Sequence, residues 1–90
     1  MIKYRPHRGS LNESMTKMRE FNDLDEMYNY IISDWNNSEM KLFGKEDLSI
    51  SDNLGADERS GWKETRYVCV KRMGSKIYEH PQCIGMCSFE

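Results

Sequence analysis

Ninety residues, 38% of them apolar and 31% charged, make one soluble domain spanning 1–90, with no room for a second core. An aromatic content of 11% is too high for an intrinsically disordered chain, and no apolar run is long enough to cross a bilayer. The net charge of −2 and pI of about 5.7 oppose a dedicated nucleic-acid binder, whose domains are usually basic.

Met1 to Pro6 alternates, with Ile2 and Tyr4 on one side and Lys3 and Arg5 on the other. Pro6 has no N–H to donate, which suggests an edge strand. His7, Arg8 and Gly9 form a turn. The stretch to Leu11 is basic and lacks the apolar core of a secretion signal, so a cytoplasmic protein is expected. Ser10 and Glu13 have the spacing of a capping box. A short helix is expected there, with Leu11 and Met15 as its buried pair. Residues 17–21 read as extended, with helix continuing to Met18 as the alternative.

The segment 22–37 carries the strongest pattern. Leu24, Met27, Tyr28, Ile31, Ile32 and Trp35 fall at i, i+3, i+4, i+7, i+8 and i+11. That is one stripe of a 3.6-residue helix over about 23–36. Asp23 is the expected N-cap and Glu26 its reciprocal partner; Asn22 could serve instead. Asn36 and Asn37 tolerate the left-handed conformation that closes a helix. Met40, Leu42 and Phe43 are placed to plug the edge of the core, with Gly44 as punctuation.

Leu48 to Asp52 is a short alternating strand, and residues 53–61 read as an exposed loop. Residues 62–73 form the clearest strand, with β-branched and aromatic residues at its centre. Gly74-Ser75 makes a turn. Residues 77–79 begin a return strand that Pro81 interrupts, and 82–90 is the last strand. The expected fold class is α+β: a small antiparallel sheet of three to five strands with the main helix packed on one face.

The net charge hides a pattern. Residues 1–19 hold five Lys/Arg and one acid (+4), residues 20–58 two Lys and eleven acids (−9), and residues 59–90 six Lys/Arg and three acids (+3). The basic ends carry Lys3, Arg5 and Arg8 beside Tyr4. They also carry Lys63, Arg66, Lys71 and Arg72 beside Trp62 and Tyr67. Phosphate contacts and base stacking use such residues, although a charge run is usually a solvated face. Asp23, Asp25, Glu26 and Asp34 give the main helix an acidic outer face. That face is either the solvated back of the domain or a surface for a basic protein partner.

Cys69, His80, Cys83 and Cys87 supply four ligands of the thiolate and imidazole types that zinc accepts. On a continuous strand, Cys83 and Cys87 would share a face about 13 Å apart at ~3.3 Å per residue. One ion cannot bridge that distance without a turn at 84–86, so inert thiols are the competing reading and no metal or cofactor is expected. An odd cysteine count without a secretion signal argues for reduced thiols. His80 lies three residues from Cys83, and His7 could approach it from the N-terminus. No nucleophile elbow or P-loop appears, so no catalytic residue is expected.

Three stretches together, YRPHRGSL at 4–11, GWKETRYVCVKRMG at 61–74 and PQCIGMCSFE at 81–90, carry a resemblance. The chain resembles small proteins encoded in phages and prophages of Gram-positive bacteria. The resemblance implies the cytoplasm of a bacterial host cell and an accessory role, and it brings no assigned activity. With seven Met able to adapt to partner surfaces, the expected function is a non-enzymatic protein-binding or regulatory module. The alternative is a nucleic-acid-binding accessory protein.

Overall fold

The computed structural model of the chain describes residues 1–7, 11–36 and 41–89. It contains a five-stranded antiparallel sheet and one main helix. In chain order the elements are β1 (Ile2–Pro6), α1 (Leu11–Thr16), β2 (Arg19–Phe21) and α2 (Leu24–Trp35). A 3₁₀ turn (Lys45–Asp47) follows, then β3 (Leu48–Ile50), β4 (Arg66–Met73) and β5 (Lys76–Ser88). The spatial order is β2-β1-β5-β4-β3.

α2 forms where the apolar stripe predicts. The Asp23 carboxylate accepts the Glu26 N–H at 2.8 Å, and the Glu26 carboxylate accepts the Asn22 N–H at 2.9 Å. Glu26 thus reaches one residue further back than a standard capping box. Met27 and Ile31 are fully buried on the sheet with Tyr4, Phe43, Val68 and Val70. Each such burial contributes about 1.5–3 kcal/mol. Tyr30, outside the predicted stripe, also turns inward and packs against Tyr4 and Phe21, with ring centroids 6.3 and 5.3 Å away.

The helix closes differently from expectation. Asn36 is extended (φ −88°, ψ 131°) rather than left-handed. Its side chain takes over the stop signal: Nδ2 donates to the Phe43 carbonyl and Oδ1 accepts the Leu42 N–H, at 2.9 and 2.8 Å. Phe43 plugs the core as predicted. Asn37, Met40 and the Ser10 cap lie outside the described residues.

β1 is an inner strand, not an edge. It pairs with β2 on one side and with residues 85–88 of β5 on the other. Pro6 is tolerated because it sits at the last rung, and the Ser14 hydroxyl donates to its carbonyl. Nor does Pro81 interrupt β5, which runs unbroken for 13 residues. Val70 pairs with Gln82 and Arg72 with Ile77, so residues 78–81 stand against Lys71 alone. A missing N–H costs little in such an irregular rung.

A second irregularity matters more. Val68 pairs with Gly85 and Cys69 with Cys83, which leaves Ile84 as an extra residue. Ile84 and Gly85 are both buried, so the alternation slips by one. Gly85 is required there, since a Cβ would lie 2.5 Å from the Tyr4 ring. At Gly74, φ is +64° while no described non-glycine residue has positive φ. That pattern suits a two-residue hairpin with glycine in its first central position.

Residues 51–65 are more than an exposed loop. They strap the sheet face opposite α2. The strand expected from Trp62 begins only at Arg66, and Trp62 instead bridges Asp57 and is buried. Asp57 meets Arg5, which is only 4% exposed, at 3.2 Å. Arg5 also donates to Met86 Sδ at 2.8 Å.

Candidate functional site

An open groove of about 400 Å³ lies where the strap meets the β1–β2 edge. Lys3, Met18, Arg19, Glu20, Ser60 and Trp62 line it. Its volume falls within the ~300–1,000 Å³ usual for ligand clefts. Trp62 is almost fully buried, and Lys3 stands opposite Glu20 in the β1–β2 register. The Arg19 guanidinium folds back to donate to the carbonyls of Met18 and Thr16, at 2.8 and 3.3 Å. Two cations against one carboxylate leave the groove with a net positive charge. β2 is one of the two outer strands. The side of residues 19–21 away from β1 carries no further strand among the described residues.

The basic residues singled out by sequence are scattered rather than gathered. Arg5 is buried and paired with Asp57, so it offers nothing to a phosphate. Arg72 donates to the Asp47 carboxylate at 2.9 Å and to the Gly74 carbonyl at 2.6 Å. Arg66 is half-buried, reaches the Ser51 carbonyl at 3.4 Å and lies 5.6 Å from the Phe89 ring centroid. Lys63 and Lys71 are exposed, Lys3 sits in the groove, and Arg8 lies outside the described residues.

Most of the acidic set does local work. Asp23 and Glu26 serve the N-terminus of α2, and Asp25 pairs with Lys45 at 2.7 Å. Asp34 is half-buried. The acid that sequence reasoning passed over is Asp47. It is buried and accepts the Gly44 N–H and Arg72, at 3.0 and 2.9 Å. The Gly44 hydrogen bond, opposed by burial and reinforced by Arg72, holds its carboxyl below the usual carboxylate range.

The four candidate zinc ligands do not converge. No group of three or more potential ligands gathers among the described residues. The slip at Ile84 sends Cys87 into the helix-side core, where burial pushes its thiol up to about 12. Cys83 emerges on the opposite face, exposed and directly across the ladder from Cys69. His80 is exposed on the irregular stretch of β5. The imidazole that does reach Cys83 is that of His7: the His7 backbone N–H donates to the Ile84 carbonyl at 3.0 Å, and the ring Nδ1 lies 3.4 Å from Cys83 Sγ. Partial burial pushes the Cys83 thiol up, and its backbone hydrogen bond with Gly85 opposes the rise.

No helix among the described residues is long and apolar enough to cross a membrane. No protein-family model, curated protein or solved structure matches the chain. The resemblance to phage-encoded proteins therefore gains no support from these comparisons.

Proposed function

We propose that the protein is a non-enzymatic binding module that docks an extended segment of a partner protein along the outer edge of β2. The observation that carries this reading is the adjacency of a strand edge that pairs with no further strand among the described residues and a groove. In strand addition, main-chain hydrogen bonds give affinity, and a pocket beside the edge selects a side chain. The positive balance of Lys3 and Arg19 over Glu20 favours an acidic or hydrogen-bond-accepting side chain in that pocket. The phage or prophage setting, in the cytoplasm of a bacterial host, belongs to this proposal through the resemblance alone. The nucleic-acid alternative is weakened, because Arg5 and Arg72 are both engaged by carboxylates.

The test places a photo-crosslinking residue at Glu20, with the same residue at Ser49 on the other outer strand, β3, as control. A discrete protein adduct from position 20 and none from position 49 is expected. Equal adducts from both positions, or nucleic acid in the adduct, would count against the reading.

A further inference from the structure

We propose that Cys69 and Cys83 form a redox-active dithiol that reduces low-molecular-weight disulfides, with His7 as the base for Cys83. Three independent features place the pair. The β4–β5 register sets the two cysteines directly opposite each other. Opposed residues on an antiparallel ladder have Cα atoms about 4.5–5.5 Å apart, inside the roughly 4.4–6.8 Å that a disulfide spans. The slip at Ile84 turns Cys83 away from the core and leaves it exposed beside a half-buried Cys69. The main-chain bond from His7 to Ile84 then anchors an exposed imidazole at the more accessible thiol.

The division of labour follows from exposure. Cys83 is the attacking thiol and Cys69 the resolving one. With the imidazole proton on Nε2, the Cys83 thiol donates to His7 Nδ1 and passes its proton there. The thiolate attacks one sulfur of RSSR, a new S–S bond forms at Cys83, and the RSSR bond breaks. The departing RS⁻ takes the proton from His7. Cys69 then loses its proton to water and attacks Cys83 Sγ. The Cys69–Cys83 bond forms, and the second RS⁻ leaves and is protonated. The balance is one dithiol and one RSSR giving one protein disulfide and two RSH; the protein is oxidised by two electrons and RSSR is reduced. Burial raises the Cys83 thiol, so little thiolate exists at neutral pH without a base. Cys87 takes no part, because it is buried on the other face.

The test treats the full-length protein with graded mixtures of oxidised and reduced glutathione. Peptide mapping after acid quench reads the outcome. A Cys69–Cys83 disulfide is expected, with Cys87 free until the protein is denatured. Cys69→Ser should stop at a glutathione adduct on Cys83, and Cys83→Ser should form neither product. His7→Gln should slow adduct formation in the Cys69→Ser background roughly 10-fold at neutral pH, with the rates converging at alkaline pH. Cysteines 69 and 83 that remain alkylatable under fully oxidising buffer would overturn the proposal. So would a disulfide that includes Cys87, or a His7→Gln rate equal to that of the parent at neutral pH.

Discussion

The two faces of the sheet are closed by different means. On one face α2 lays Met27 and Ile31 over Tyr4, Val68 and Val70, a contact made of apolar area. On the other face an irregular strap crosses the strands, held by the Arg5–Asp57 pair and by Trp62. The helix face is an apolar core. The strap face leaves a groove lined by Lys3 and Trp62, and the exposed Cys83 beside a half-buried Cys69. Apolar burial is non-directional and favours complete closure. A polar strap closes a surface only where its few partners reach, so the groove and the exposed Cys83 are left on that side.

The contrast is broken most severely from the helix side. Ile31→Asp puts a carboxylate into a fully buried position and should cost more than ~4 kcal/mol. Loss of a cooperative thermal transition is expected; a folded, cooperatively melting variant would refute the packing of α2. On the strap side, Asp57→Ala leaves Arg5 buried without its carboxylate and should cost about 3 kcal/mol. The pair Arg5→Leu with Asp57→Ala should recover most of that loss in denaturant titrations. No recovery would mean that the strap is held by something other than the ion pair. Gly85→Ala, at the close approach of Tyr4, should cost about 1–3 kcal/mol, because the ring must shift.

A smaller effect is read in pH. The Asp47 carboxyl lies below its unfolded value, so the folded state favours its charged form. Its contribution is fully present above the unfolded value near ~4. It is lost as pH falls from there through the lowered folded value. Asp47→Asn should therefore lose stability at neutral pH and show a flatter acid limb. An unchanged acid limb would mean that the Gly44 and Arg72 contacts contribute nothing.

The difference between the faces also marks what the sequence could show. The stripe from Leu24 to Trp35 and the Asp23 cap are local patterns, and they announce α2 directly. The Arg5–Asp57 contact joins residues 52 apart, and the His7–Cys83 contact joins residues 76 apart. No spacing rule reaches that far, so Arg5 reads as a surface cation until the strap is seen to cover it. Register is equally silent. The alternation of 82–90 puts Cys83 and Cys87 on one face, and a single extra residue at Ile84 separates them. Gly85 was visible as a glycine, but its reason, the Tyr4 ring, is a tertiary one. Pro6 misled for a similar cause: a proline at a strand's last rung looks the same in sequence as one at a sheet edge.

The sharpest test of the functional account sets the two faces against each other. The photo-crosslinking residue at Glu20, beside the groove, is compared with the same residue at Asn29, exposed on α2 within the acidic segment. Crosslinks to a protein partner from position 20 and none from position 29 are the predicted result. Crosslinks from position 29 with none from position 20 would make the acidic helix the docking surface and contradict the account.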